Sequence, residues 1–477
     1  MEHLTSIVAG ERVDGVGPTH HDANPARPSE AVATWQDAAP DVVARACTVA
    51  AEVAPAWRTT PIHERGAILA RAADLLSARA DDLGRELSEE EGKPLAEGIG
   101  EVRRAARILD YYAAEADRSV GEVFASPRAG EQILTRQVPV GPTALITPWN
   151  FPIAIPTWKL APALVYGNPV VWKPSPVTPR LAVRLVDVLA EAGLPAGVLN
   201  LVLGGGDVGR QLLEDPAVRA CSFTGSTAVG RAVMAAGAAN GVKTQAEMGG
   251  VNVAVVLADA DLDLAAEKVV AGAAGSTGQK CTATSRLVVD EEVHDELLDR
   301  VLARCGELVL GDPLDPGTTL GPLATAGQLD QIDRAIDDAR ASGADVVADG
   351  RQRDRPDDGW FVAPSVVRGV GPDHPLCTEE VFGPVLAVST ARDRDDAFAQ
   401  ADAGRFGLTT SVFTRDLGSA LAASEELEVG IVHVNSETTG AEPHVPFGGV
   451  RESGAGGREQ GRAARDFYTE TRTVYLA

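Results

Sequence analysis

The chain has 477 residues, 44% of them apolar, and a formal net charge of −25. That length exceeds one ordinary domain and suits two or three, with enough apolar residues for a large core. The acidic balance repels phosphate backbones and anionic lipid, so neither nucleic acid nor a membrane surface is an expected partner, and an anionic substrate would have to meet a local basic group.

Residues 1–35 carry short apolar pieces broken by Gly, Asp, Asn and Pro, which predict edge strands and turns. From Ala39 to about Ala116 the apolar residues recur at three- and four-residue spacings, as in Leu69, Ala72, Ala73 and Leu76. That run predicts helices, punctuated by Gly84, Gly92 and Pro94. From Val138 the texture changes. The pattern predicts strands at Ala144–Thr147, Val170–Lys173, Val198–Leu203 and Ala220–Thr224. Between and after them it predicts helices near Lys159–Val165, Pro179–Ala192, Val208–Glu214 and Ala228–Ala238. Short strands that are apolar on both faces and alternate with helices mark a parallel sheet covered by helices. A second alternating block starts at Val253–Val256. It continues through a helix at Leu264–Ala274, a strand at Arg286–Val289, helices at Val293–Glu307 and Gln328–Ser342, and a strand at Val385–Val388. The last stretch, Asp466–Leu476, predicts a terminal strand. With the similar segment 119–137, it is expected to pair with something outside the core, such as another subunit. The fold class is therefore α/β.

Nothing in the chain suggests a membrane or a metal. No run of about 18 apolar residues is present, and Met1 to Gly10 shows no signal-peptide pattern. The five cysteines, Cys47, Cys221, Cys281, Cys305 and Cys377, are unpaired by spacing and form no CxxC. They point to a reducing, cytoplasmic setting and away from disulfides or structural zinc.

Four short segments carry chemistry, each with a plain alternative. Cys281, in Gly278-Gln279-Lys280-Cys281, lies between a helix and a strand, where backbone N–H groups can lower a thiol pKa; the alternative is an inert buried thiol. Asn150, in Pro148-Trp149-Asn150-Phe151-Pro152, stands at a strand's C-terminal end and offers an amide to a developing oxyanion; the alternative is a simple turn. Glu247, before Met248-Gly249-Gly250, suits a general base with a raised pKa; the alternative is an exposed loop glutamate. Phe223-Thr224-Gly225-Ser226-Thr227 joins a strand to a helix whose N-terminus could take a pyrophosphate; the alternative is a helix capped by Ser226 or Thr227. The formal GxGxxG at Gly204–Gly209 is set aside, because no acidic residue follows about 20 positions on.

Taken in this order, the motifs resemble the aldehyde dehydrogenase superfamily, from about residue 20 to 477. Within it they are closest to the α-ketoglutaric semialdehyde dehydrogenases, through Ile155-Pro156-Thr157-Trp158-Lys159, the segment Gly278–Arg286, Arg458-Glu459-Gln460-Gly461 and Asp466-Phe467-Tyr468-Thr469. The resemblance implies Cys281 as nucleophile, Asn150 as oxyanion donor and Glu247 as activator of the hydrolytic water. It implies NAD or NADP as cofactor, with Thr147, Trp149, Lys173, Ser175, Gly225, Ser226, Glu380 and Phe382 around it. Lys173 would meet the adenosine ribose, Gly225 and Ser226 the pyrophosphate, Glu380 the nicotinamide ribose, and Phe382 would pack near the nicotinamide. It further implies a Rossmann-like NAD(P)-binding domain (1–118 and 138–249), a catalytic domain (250–445) and a small β oligomerisation element (119–137 and 462–477) of a homodimer or homotetramer. The substrate would be a small aldehyde, a semialdehyde such as α-ketoglutaric semialdehyde. Trp158 and Ala283 stand where succinate-semialdehyde relatives usually carry Arg and a second Cys, and both departures speak against that substrate; it and aromatic aldehydes are the alternatives. Glu247 speaks against CoA acylation. No Cys…His signature supports a cysteine hydrolase. Intact Cys281, Asn150 and Glu247 speak against a non-catalytic scaffold.

Two positions depart from the family pattern. Val251 replaces a frequent Lys, with little expected effect on catalysis. Pro176 stands three residues after Lys173, where NAD-preferring relatives usually place an acid. Without that carboxylate nothing there repels a 2′-phosphate, so NADP⁺ is expected to support turnover. The idea fails if NAD⁺ supports dinucleotide reduction at 340 nm and NADP⁺ does not.

Overall fold

The computed structural model of the chain describes residues 1–119 and 121–477. Two large sheets organise it. The first has eight strands in the order Gly454–Ala455, Lys243–Glu247, Ala220–Thr224, Thr143–Ile146, Val170–Lys173, Leu199–Leu201, Ser6–Val8, Glu11–Val13. Its five central strands run parallel. The second has seven strands in the order Asp345–Ala348, Ser365–Arg368, Val385–Ala391, Thr284–Asp290, Asn252–Val256, Thr409–Phe413, Ile431–Val434. All are parallel except the first-named edge.

Pleating explains why these strands are apolar throughout. Leu145, Val170 and Trp172 point into one core, with the helices Ile62–Ala78, Leu95–Ala113, Ala154–Val165 and Pro179–Glu191. Their neighbours Ala144, Ile146 and Val171 point to the opposite face, against Pro40–Thr59 and Gly206–Glu214. The second sheet repeats the device, with Ala254 and Val256 on one face and Val253 and Val255 on the other.

In the first sheet the chain order reverses between Thr143–Ile146 and Ala220–Thr224. Such a switch point leaves a crevice at the strands' C-terminal ends. Thr147–Asn150 and Gly225–Ser226 follow those two strands directly. Cys281 and Glu380–Pro384, by contrast, precede strands of the second sheet. The C-terminal end of one sheet and the N-terminal end of the other thus supply the two halves of one site.

Several expected elements shift. The helix expected near Lys159–Val165 begins at Ala154. Its first N–H groups are satisfied from far off, because Glu101 Oε1 accepts from Ile153 N at 3.0 Å and Ala154 N at 3.1 Å. Gly84 breaks nothing and lies inside Ala80–Glu91; Gly92, left-handed at φ 99°, does end that helix. The expected terminal strand starts only at Thr469, since Asp466–Tyr468 belong to the helix Gly461–Tyr468 and Phe467 and Tyr468 are buried in the first core. Thr469–Leu476 pairs antiparallel with Gln132–Pro139, which also pairs with Val123–Phe124. The two segments expected to seek an outside partner therefore pair with each other, with Val123 81% and Tyr475 62% exposed; position 120 lies outside the described residues. Glu247 does stand at a strand end, as expected, on Lys243–Glu247; Ser365–Arg368, Thr409–Phe413 and Ile431–Val434 are further strands and Arg394–Asp402 and Leu417–Glu426 further helices that the sequence pattern does not mark.

Trp172 is fully buried, and its indole Nε1 donates to Thr147 Oγ1 at 2.9 Å, tying two strand ends beneath the crevice. Trp172→Ala is expected to destabilise the protein by about 3–5 kcal/mol, read as a lower denaturation midpoint. An unchanged midpoint would refute this role.

Candidate active site

The Cys281 loop is held in an unusual backbone state. Ser276, Thr277 and Gly278 have φ of 50°, 54° and 68°, three left-handed residues in succession. Such a run persists only where its surroundings enforce it. Glu97 accepts from Ser276 N at 3.3 Å, Thr277 Oγ1 donates to Gly321 O at 3.0 Å, and Gln279 Oε1 accepts from Ala324 N at 3.0 Å. Only glycine fits at 278, since a Cβ there would stand 2.4 Å from the Gly383 carbonyl carbon. Beyond the turn, Asn252 Nδ2 donates to the carbonyls of Cys281 and Ala283, both at 2.8 Å.

Cys281 itself is half-buried. Burial pushes its thiol up to about 12, and the carboxylates of Glu380 and Glu247 push the same way. The N–H groups of Cys281 and Thr282 pull it down and are outweighed. The two loop amides act in the expected direction, but desolvation and two acids outweigh them.

Asn150 is buried, and its Nδ2 donates to the Gln279 carbonyl at 2.8 Å, two residues from Cys281. Its second amide hydrogen remains for a ligand. Lys93 Nζ donates to the Asn150 carbonyl at 2.9 Å and to Glu101 Oε2 at 2.7 Å. Glu247 is buried at the end of its strand, not exposed on a loop. Gly449 N donates to its Oε2 at 3.2 Å. Burial and the nearby Glu459 hold its carboxyl well above the usual range, against the pull of Lys159.

Behind Glu247 lies a buried polar group that motif reading did not single out as a site. Glu459 pairs with Lys159, and it accepts from Trp158 Nε1 at 2.6 Å, Ser222 Oγ at 3.0 Å and Gln245 Nε2 at 3.3 Å. One signal was available: Lys159 is the lone charge in a helix of 12 residues, all buried, and a buried lysine requires a partner.

Two cavities meet at Cys281 and Ile155. The smaller, about 270 Å³, is lined by Trp149, Asn150, Thr224–Ser226, Gly249, Glu380 and Phe382. The rings of Trp149 and Phe382 meet edge to face at 5.5 Å. Ser226 precedes the helix Thr227–Asn240 without capping it, so the capped-helix alternative does not hold. The hydroxyls of Thr224 and Thr227 are buried and have no hydrogen-bond partner. Gly225 is required, as a Cβ would stand 2.6 Å from the Phe223 ring. An uncapped helix N-terminus beside orphaned hydroxyls fits a phosphate-bearing dinucleotide. Glu380 Oε1 accepts from Gly250 N at 2.9 Å, and burial lifts its carboxyl to about 7. Lys173 and Ser175 stand at the neighbouring strand end and do not line this cavity. Lys173 Nζ donates to the carbonyls of Pro174 and Gly204 at 2.8 and 3.2 Å, and burial lowers its pKa to about 8. Thr147 Oγ1 is engaged by Trp172, and Pro176 is exposed.

The larger cavity, about 490 Å³, has apolar walls of Phe151, Ile155, Trp158 and Phe447 and a charged wall on the helix Leu95–Ala113. Among the described residues no cluster of three or more His, Cys, Asp or Glu could hold a metal ion, and no helix is long and apolar enough to cross a membrane.

The chain is similar to known proteins over nearly its whole length. The model of the aldehyde dehydrogenase family matches residues 13–474. An alpha-ketoglutarate semialdehyde dehydrogenase of Haloferax volcanii is 43% identical over 98% of both chains. An alpha-ketoglutaric semialdehyde dehydrogenase of Bacillus subtilis is 40% identical over 95% of this chain and 93% of its own. The crystal structure of an NAD-dependent aldehyde dehydrogenase from Sinorhizobium meliloti superposes with a TM-score of 0.96, at 35% identity, over 100% of this chain and 95% of that one. With a family match across nearly its whole length, the chain belongs to the aldehyde dehydrogenase family.

Proposed function

We propose that the chain oxidises an aldehyde to a carboxylate with NAD or NADP, and that Cys281 is the nucleophile. The observation that carries this reading is that Cys281 lines both cavities, the one suited to a dinucleotide and the one with apolar walls. The Cys281 sulfur, once deprotonated, adds to the aldehyde carbon and gives a thiohemiacetal oxyanion. The free N–H of Asn150 stabilises that oxyanion, a contribution of roughly 3–4 kcal/mol for such donors. A dinucleotide held in the smaller cavity would supply the hydride acceptor, and loss of hydride from the thiohemiacetal leaves a thioester on Cys281. Glu247 takes a proton from water, whose oxygen attacks the thioester, releasing the carboxylate and the Cys281 thiol. Gly225 and Ser226 would hold the pyrophosphate, Lys173 and Ser175 the adenosine ribose, Glu380 the nicotinamide ribose, and Trp149, Thr147 and Phe382 would frame the ring.

The names of the two semialdehyde dehydrogenases to which the chain is 40–43% identical support a semialdehyde such as α-ketoglutaric semialdehyde as substrate. Pro176 favours acceptance of NADP. Residues 1–118 and 138–249 form the cofactor half and 250–445 the catalytic half. The exposed three-stranded sheet of Val123–Phe124, Gln132–Pro139 and Thr469–Leu476 suits assembly into a homodimer or homotetramer. The five free cysteines suit a cytoplasmic setting.

Cys281→Ala is expected to abolish dinucleotide reduction. Glu247→Gln is expected to give one enzyme equivalent of reduced dinucleotide in a burst, then steady turnover lower by on the order of 10²–10⁴-fold. Reduction by Cys281→Ala at the parent rate, or Glu247→Gln with neither burst nor loss, refutes these assignments. The high thiol pKa yields a separate expectation. Alkylation of Cys281 by iodoacetamide in cofactor-free protein, followed by mass spectrometry, is expected to keep rising by about tenfold per pH unit beyond pH 8.5, where an ordinary thiol levels off. Levelling near neutral pH would contradict the electrostatics described above.

A further inference from the structure

The larger cavity beside Cys281 carries charge that aldehyde oxidation itself does not need. Its cations are Lys93, Arg103, Arg104, Arg107 and Lys280. Four of them are engaged. Lys93 pairs with Glu101 at 2.7 Å, Arg103 with Asp81 at 3.2 Å and Arg107 with Glu442 at 3.3 Å. Lys280 turns its ammonium back to the Ala271 carbonyl, at 3.5 Å, near the C-terminal end of the helix Leu262–Ala274. Arg104 differs. Among the described residues it forms no ion pair, and its Nε is buried without a hydrogen-bond partner. Burial lowers its pKa from the ordinary value, Glu442 and Glu101 oppose that shift, and Arg107 adds like charge.

A guanidinium stays protonated under these conditions, and a half-buried one with no ion pair of its own is free to take up an anion. Its planar fork matches a carboxylate in bidentate fashion. In a chain of net charge −25, an anionic substrate can be drawn in only by such a local cation. We propose that Arg104 recognises the distal carboxylate of a short ω-oxo carboxylate, placing its aldehyde end at Cys281 while Phe151, Ile155, Trp158 and Phe447 flank its carbon chain. The proposal rests on the aldehyde-oxidising function above and adds to it the residue that selects anionic aldehydes.

The test compares kcat/KM for succinic semialdehyde and for butanal, an uncharged aldehyde of equal chain length, in the parent enzyme, Arg104→Gln and Arg104→Lys. In Arg104→Gln the ratio of the two is expected to fall by roughly 30-fold or more, mainly through KM for the semialdehyde. Arg104→Lys should recover part of it. A merely structural role would lower both substrates together, and an unchanged ratio overturns the proposal. Should Arg104→Gln fail to fold, the parent enzyme decides. Glutarate should compete with butanal and the neutral glutaramide should not; equal inhibition by both overturns the proposal. Turnover of butanal without preference for the semialdehyde refutes the Arg104 role alone, whereas no turnover of any aldehyde refutes the proposed function itself.

Discussion

Both oxygens of the Glu101 carboxylate are committed, and much of the site depends on that commitment. One accepts from the first N–H groups of the helix Ala154–Val165. The other pairs with Lys93, which holds the Asn150 carbonyl and lies 4.1 Å from the centre of the Phe151 ring. A single buried acid thus positions Asn150, an apolar wall of the larger cavity and the start of the helix that carries Lys159. Lys93 and Glu101 are both nearly inaccessible to water. Removing one member of such a pair leaves the other uncompensated, a loss of about 3–5 kcal/mol. The same helix that supplies Glu101 carries Arg104 three residues on, almost one turn away and on nearly the same face. The buried pair that holds the Asn150 carbonyl and the unpaired Arg104 guanidinium therefore share one rigid element.

The second constraint is electrostatic crowding. Glu247 and Glu380 both raise the Cys281 thiol, and burial raises all three groups. Burial and both acids oppose the Cys281 thiolate, so added positive potential or neutralisation of a carboxyl would favour it. The Glu247 carboxyl is itself held high by Glu459 and pulled back by Lys159. Glu247 and Cys281 are thus tuned by one acidic neighbourhood, with Lys159 as its buried counter-charge. Separate protonation of the carboxyls lowers the cost of assembling so many acids in little space.

Backbone conformation supplies the geometry that side chains alone could not. Ser276, Thr277, Phe382 and Gln460 all have positive φ without being glycine. Each lies within a few residues of Cys281, Glu380 or Glu459. The Gly278 turn and the Gly383 turn pack backbone to backbone, so the nucleophile loop and the Phe382 loop are fixed against each other. Concentration of unfavourable backbone states at one place is what a preorganised site requires of its surroundings.

Much of this architecture was legible in the order of residues. Val170–Lys173 and Ala220–Thr224 were read to the residue, because strands covered on both faces are apolar throughout and end abruptly at polar or glycine positions. The motifs around Asn150, Glu247 and Cys281 identified the chemistry, since that chemistry limits which side chains can stand there. Other features were not legible, for one physical reason: they depend on groups distant in the chain. The start of the Ala154 helix depends on Glu101, the pairing of Glu459 on Lys159 some 300 residues earlier, and the thiol pKa on acids from two other segments. The segment after Asp466 looked like a strand because its aromatic residues suit one, yet burial of Phe467 and Tyr468 in the first core made it a helix. Local pattern determined the parallel strands around the switch point, the motif positions and the family. Tertiary packing alone decided which charges are buried together, which remain unpaired like Arg104, and so how the site is tuned, because electrostatic energy depends on distance and desolvation, which local sequence pattern does not encode.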